Sequence, residues 1–501
     1  MQQHEDINSL SEISHFAQSN CRMQNAFRFL MSNIKLQGIS RLLNKGKTKG
    51  FKPMDLFRIL FVLPFVDLGN VHQLMRSGLN QTVDCGKDTF YRFLNNPNID
   101  WRKIHHSFFV QILKLVDCYQ DKMNSTTKDT TPPCFILDDT IFTKTGKLIE
   151  SIGKVYDHTD YQHKLGIKAL FTALWDGKML IPFDFSMHVE ARKDQSRGMT
   201  NKELKNQYSK SRSEDNASYS RMQELIETKI KSALSMLHRL MKLHIKCRYI
   251  VADSWFTCKE ILQQVKSLEK RFKTELDYIG QIKMNWNITM QSKTYKRKLS
   301  SIINTLNRKR KPIRCKKYNC YYQKFRGTFQ GIEANFYFVR LNGTDQWKCL
   351  ITTDTSQSFI SAMQVYSIRW SIEVFFKDAK QNLNLGKCQA NDLDAHIATN
   401  TLLCLNYMAI ALRKRLNDYE TIGWLLRDLK KQFIRHTLVQ RIWNIIVKLL
   451  HSILVEVGVD WNKLVSRIIA EPQLIIKIYS EVDSIFGHSQ QLSAENIKCE
   501  T

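Results

Sequence analysis

The sequence is short of proline, of acid and of long apolar runs, and each shortage excludes something. Eight prolines in 501 residues are too few for a proline-rich or wholly disordered chain, and aliphatic and aromatic side chains suffice to fill a sizeable core. No secretory signal is visible, because Met1 to Ser19 is polar and mixed in charge. The most apolar early run, Ile59 to Val66, is too short to cross a bilayer and follows Arg58 directly. The stretch Ile445 to Val457 carries Lys448 and His451 at helical spacing and reads as a core helix. A soluble cytoplasmic protein with no membrane partner is therefore expected. The twelve cysteines show no disulfide-like framework, which suits a reducing compartment. Cys315 and Cys320 could form half of a zinc site, but no second Cys/His pair follows at suitable spacing, so ordinary thiols are expected. There is no internal repeat.

The acid shortage is the most informative. Forty-seven Asp and Glu stand against 75 Lys and Arg, a formal charge of +28. An excess of that size calls for a polyanionic partner or a membrane surface. Basic residues spread through the chain, rather than confined to one amphipathic helix, point to nucleic acid.

What is present suggests three or four domains by length. Residues 1–120 read as a helical N-terminal region with a DNA-binding role. Phe27, Phe29, Leu30 and Ile34 begin an amphipathic pattern, which resumes over Met54 to Met75. Asp88 or Thr89 is the expected cap of a short helix carrying Tyr91 and Arg92 and ending at Asn95, compatible with a DNA-reading helix. Asp121 to Pro133 reads as a linker. Strands are then expected at Cys134–Asp138, Ile167–Trp175 and Met179–Met187, the last two joined by an Asp176-Gly177 hairpin. Arg192 to Ser220 reads as an exposed loop. A helix from about Met222 to Lys246, a strand Tyr249–Asp253 and a helix from about Thr257 to Arg271 follow.

This order is that of an α/β domain with a central sheet, expected over 133–275 and 355–416. Residues 276–354 read as a β-rich insertion, with strands at Asn319–Phe325, Ile332–Leu341 and Leu350–Thr353. Residues 417–501 read as a helical C-terminal region available for oligomerisation.

Two strand ends carry acids, Asp138-Asp139 and Asp253. Carboxylates there are costly in a core but useful where magnesium ions must be held about 3.5–4 Å apart. The plain alternative is that each caps the turn that follows. A third acid, Glu373, lies on the segment Met363–Asn382, expected as one helix. Counted from Tyr366, Arg369, Glu373 and Lys380 fall at roughly 300°, 340° and 320°, so all four share a face, with Lys377 and Trp370 beside it at roughly 20° and 40°. Ile368, Ile372, Phe375 and Ala379 form the opposing apolar stripe. A solvated face holding a Glu–Arg pair would give the same pattern.

The spacing Tyr366-x2-Arg369-x3-Glu373-x6-Lys380 resembles the Y-R-E-K signature of bacterial DDE transposases of the insertion-sequence four family. The resemblance runs from about Asp88 to Lys387. It implies a ribonuclease-H-like mixed sheet with helices, interrupted by a β-rich insertion between the second and third acids. It implies a catalytic and metal-binding triad of Asp139, Asp253 and Glu373 served by two Mg²⁺ ions, for which Mn²⁺ can substitute. Adjacent strand residues face opposite ways, so only one of Asp138 and Asp139 is expected to reach the metals, and the resemblance selects Asp139. Arg369, Lys380 and Tyr366 would hold phosphates. Trp347 resembles the tryptophan that receives a base flipped out of a hairpin intermediate, with Trp370 and Lys377 also near DNA. The expected partners are transposon ends and target DNA, with a homodimer in the synaptic complex. The basic stretch from Lys293 to Lys317 has phosphate contact as its natural use. A structure-selective nuclease and a catalytically silent DNA-binding derivative are the competing functions.

Overall fold

A computed structural model describes residues 34–427 and 430, apart from short breaks at 46, 48, 67, 78–79, 81–82, 84, 124–130, 159, 191–196, 291–294 and 417–420. The expected helical and oligomerising region over 417–501 lies almost wholly outside the described residues, as do Phe27 to Leu30, most of the linker and Lys293. The chain divides into two compact units. One comprises Met1–Lys35, Val62–Leu68 and Gly423–Thr501, of which only short pieces are described, among them a 3₁₀ turn at Leu63–Val66. The other, Leu36–Phe61 with Gly69–Ile422, contains the sheet and the candidate site.

The N-terminal helices are α1 (Leu36–Asn44), α2 (Pro53–Val62), α3 (Val71–Arg76), α4 (Lys87–Leu94) and α5 (Trp101–Met123). Asn70 caps α3 by accepting the Gln73 N–H at 2.9 Å. The cap expected of Asp88 or Thr89 in α4 is instead Gly86, with no side-chain bond. Asp88 stands in the first turn, where its charge complements the helix dipole. Phe90, Phe93 and Leu94 bury one side of α4, and Tyr91 and Arg92 are exposed on the other.

The sheet begins with β1 (Cys134–Thr143), β2 (Gly153–Asp157), β3 (Gln162–Trp175) and β4 (Leu180–His188). β3 runs antiparallel to β1 along one edge and to β2 and then β4 along the other. The β3–β4 hairpin turns at Gly177, whose φ of +106° is open only to glycine at low cost. After the short helix α6 (Asn201–Lys205) come α7 (Tyr219–Ile226) and α8 (Lys229–Lys242), then β5 (Tyr249–Ala252), α9 (Lys259–Phe272) and β6 (Asp277–Ile282). β5 lies parallel to β1 and β6 parallel to β5. Three antiparallel strands flanked by two parallel ones, in the order β4-β3-β1-β5-β6, form the ribonuclease-H-like core that the resemblance implies. Every residue of β4 is buried, because α5, α7, α8 and α13 (Leu393–Leu416) all pack on it. A strand covered on both faces reads as a continuous apolar run.

The remaining elements are β7 (Asn287–Met290), β8 (Lys296–Lys298), α10 (Leu299–Lys309), β9 (Ile313–Cys315), β10 (Cys320–Phe329), β11 (Ile332–Leu341), β12 (Lys348–Thr352), α11 (Phe359–Ser367) and α12 (Trp370–Asn382). β6, read from sequence as the start of the insertion, is a core strand paired with β5 on one edge and β12 on the other. Through that second edge β12, β11, β10, β7 and β8 continue the core sheet, so twelve strands form one sheet. The basic stretch folds partly as helix α10 rather than as strand alone.

Two helical readings also change. The single helix expected over Met222–Lys246 breaks at Glu227, which is extended, and Thr228 caps α8 by accepting the Lys231 N–H at 3.2 Å. The segment Met363–Asn382 is interrupted after Ser367. There the Arg369 N–H reaches Tyr366 O and the Ile372 N–H reaches Arg369 O, three residues apart instead of four. Ile368, Ile372, Phe375 and Ala379 are buried as their spacing predicts.

The loop over 192–220 is not simply exposed in its described part. Arg212 has a fully buried side chain bonded to both Glu150 oxygens at 2.6 and 2.8 Å and to Asp392 and Asp394 at 3.2 Å. Helix α13 is long and apolar enough to cross a membrane by length and composition, but nearly all of it is buried in the unit.

Candidate active site

Two acids come together where β1 and β5 lie side by side. Leu137 is in register with Ala252, so Asp138 and Asp139 emerge next to Asp253. Asp253 follows the last residue of β5, and its Oδ1 accepts the Trp255 and Phe256 N–H groups at 2.9 and 3.4 Å. Asp139 and Asp253 line a groove of about 620 Å³ with Lys164, Lys168, Lys229 and Lys380. Burial raises the Asp253 carboxyl above the ordinary range and the neighbouring Asp139 adds to this, while the two amide hydrogen bonds oppose it.

The two adjacent aspartates face opposite sides of the sheet. Asp138 is opposite Phe171 and Asp139 opposite Leu170, and facing residues of an antiparallel pair share a side. Phe171 packs on Phe375 and Phe376 of α12, so Asp138 looks toward α12. It accepts from Arg369 at 2.9 Å, and the same guanidinium reaches Glu373 at 2.6 Å. Burial pushes the Asp138 carboxyl up to about 7, against the pull of Arg369 and with a push from Asp253 and Asp139. Asp139 is instead paired with Lys229 at 2.7 Å.

Glu373 thus approaches Asp138, in the middle of β1, through Arg369. Asp139, Asp253 and Glu373 do not close into a metal-sized cluster among the described residues. The available donors are carboxylate oxygens, a hard set that fits Mg²⁺ or Mn²⁺ by its chemistry.

The other expected residues divide. Lys380 lines the groove and donates to the Thr140 hydroxyl at 2.7 Å; burial lowers its pKa. Tyr366 lies under the Arg369 guanidinium, 5.9 Å from ring centroid to carbon. Burial raises its phenol, which also senses Asp253. Lys377 is exposed on α12, and Trp370 is 62% exposed at its start; neither lines the groove. Trp347 precedes β12, whose Cys349 pairs with Ile282 at the end of β6 nearest Asp253. At about 4.8 Å per strand, β12 lies two strands, roughly 10 Å, from β5, and Trp347 falls beyond the end of β5 along the strand direction. The Arg340 guanidinium covers its ring at 5.3 Å.

Lys164, Lys168, Lys229 and Trp255 were not singled out from the sequence. Lys229 was hidden inside a helix read as continuous, and the cap at Thr228 was the missed signal. A separate buried cluster, likewise unforeseen, surrounds Asp184 on β4. Burial alone would raise this acid, yet Arg102, Arg239 and Arg221 hold it well below the usual carboxylate range. Its ion pairs tie α5, α7 and α8 to β4.

Two family models match the chain. Residues 71–282 match the model described as DDE superfamily endonuclease, and residues 226–409 match that of the transposase DDE domain. No curated protein gives a significant match. The two matched segments together support a DDE transposase, and their ranges span Asp138, Asp139, Asp253, the α11–α12 segment and the groove.

Proposed function

We propose that this DDE transposase moves an insertion sequence by cut-and-paste, as a bacterial cytoplasmic member of the insertion-sequence four family acting on transposon ends and target DNA. One observation carries the reading: two carboxylates from adjacent parallel strands lie in a lysine-lined groove, beside Arg369 and the helix bearing Glu373 and Lys380. Asp139, Asp253 and Glu373 would hold two Mg²⁺ ions, or Mn²⁺ in their place. When bound, the ions supply activation of the attacking water or 3′-hydroxyl and stabilisation of the leaving oxygen.

The chain's own groups bind and orient. Lys380 and Arg369 hold phosphates flanking the cut by charge-assisted hydrogen bonds. Tyr366 donates its hydroxyl to another phosphate, and Lys377 contacts the backbone further out. Trp347 offers a ring to a base unstacked in a hairpin intermediate, and Trp370 flanks the same DNA. Synapsis of two ends needs two copies of the chain. Residues 1–120, with α4 presenting Tyr91 and Arg92, contribute DNA binding. The description of the first matched family as an endonuclease favours one second reading, cleavage without joining.

The test supplies donor DNA bearing matched ends, a target plasmid and Mg²⁺. Joined products are expected from the wild type, a hairpin species should precede them on denaturing gels, and cutting without joining would favour the endonuclease. Asp139→Asn, Asp253→Asn and Glu373→Gln should each abolish cleavage while end binding survives. Asp138→Asn made alongside decides which adjacent aspartate serves the metals. Full cleavage by Asp139→Asn would overturn its assignment.

A further inference from the structure

One groove contact is used by none of these roles. Lys229 Nζ lies 2.7 Å from Asp139 Oδ2 and 4.0 Å from the centroid of the Trp255 ring. Both neighbours are fixed locally, because Thr228 starts α8 at Lys229 and the Asp253 carboxylate turns the Trp255 backbone back toward the groove. The ion pair is largely shielded, with 13% of the Lys229 side chain and 21% of the Asp139 side chain exposed. The nearby Glu190 is already engaged by Lys168. The ring face gives the ammonium a second resting place next to the carboxylate.

An ammonium that close to Asp139 repels any divalent ion taking the same carboxylate. The conflict is relieved when an anion arrives to receive the ammonium. Five lysines against three aspartates line the groove, which suits an anionic ligand, and the phosphodiester is the anion that DNA brings. We propose that Lys229 is a positioning residue that couples divalent-cation uptake at Asp139 to the arrival of a nucleic-acid phosphate. Its ammonium exchanges the Asp139 carboxylate for a phosphate oxygen, and Trp255 holds the side chain within reach of both. This rests on the groove being the DNA-binding site.

Coupling between two ligands is reciprocal, so DNA must tighten the metal by the factor by which metal tightens DNA. The full-length protein is titrated with Mn²⁺, read from the free-ion electron paramagnetic resonance signal, with and without a mixed-sequence duplex bearing a single-stranded overhang. The same duplex is then titrated with and without Mn²⁺ by fluorescence anisotropy. About a tenfold mutual enhancement is expected for the wild type, within the usual range for coupled sites. Lys229→Met should bind Mn²⁺ more tightly without DNA and show less than about a twofold enhancement by the same measure. Lys229→Gln repeats the test if the Met variant does not fold, and Lys311→Met should weaken DNA binding yet leave the enhancement intact. Equal enhancement in wild type and Lys229→Met overturns the inference while the transposase reading stands. Failure of the wild type to bind DNA at all overturns both.

Discussion

Replacing Arg212 by Met removes the centre of a fully buried charge cluster. Arg212 meets Glu150 through two hydrogen bonds of 2.6 and 2.8 Å and reaches Asp392 and Asp394 at 3.2 Å each. Its loss leaves Glu150 with the backbone amides of Lys210 and Leu393 but no side-chain cation within ion-pair distance among the described residues, and Asp392 and Asp394 with Lys210 at 2.9 and 2.7 Å. Breaking a buried ion pair by deleting one partner costs about 3–5 kcal/mol. Unfolding entropy of roughly 2.1 cal/mol/K per residue, over a unit of about 380 residues, gives about 0.8 kcal/mol/K, so the midpoint should fall by about 4–6 °C. Differential scanning fluorimetry reads this directly. A midpoint within about a degree of wild type would refute the reasoning.

Other perturbations have equally definite outcomes. His105 is fully buried, its ring faces Pro182 O at 3.1 Å, and burial lowers its pKa to about 3. Below pH about 6.5 the unfolded chain takes a proton that the folded one refuses, so this site should lose about 1.4 kcal/mol of stability per pH unit down to about pH 3. His105→Gln should flatten that acid limb in urea titrations, and an unchanged slope counts against it. Gly386 adopts φ +78°, and a Cβ there would sit 2.8 Å from the Phe142 ring. Gly386→Ala should therefore cost more than about 1 kcal/mol in chemical denaturation. It should also weaken DNA binding, because the carbonyl of Gly386 receives Lys144 Nζ at 2.6 Å at the groove wall. Arg369→Ala should reduce the salt dependence of DNA binding by about one phosphate in a log–log plot; an unchanged slope would remove Arg369 from the contact set.

Local pattern carried much of this architecture. Continuous apolar runs marked β3, β4 and β5, and Asp176-Gly177 marked the β3–β4 hairpin; Asp253 does follow a strand end, whereas β1 runs on past Asp138 and Asp139 to Thr143. The buried stripe Ile368-Ile372-Phe375-Ala379 followed from helical periodicity alone. What escaped was set by distant partners. Lys229 and Asp139 are 90 positions apart, and nothing near Lys229 announces its ion pair. The charges around Asp184 come from β4, α5, α7 and α8, so only the fold assembles them. β6 has a core strand's apolar character, yet in sequence it adjoins the β-rich segment and is indistinguishable from it, because pairing partners are not written in a strand's own residues.

The twofold pairing of β6 makes the chain hard to shorten. Residues between β6 and β12 look from their sequence position like a detachable cassette, open to replacement by a short linker. Removing them together with β12 would strip one whole edge of β6 of its hydrogen-bond partner. A bare edge of that kind recruits strands from other molecules, so a trimmed version should precipitate or self-associate before its loss of activity could be measured.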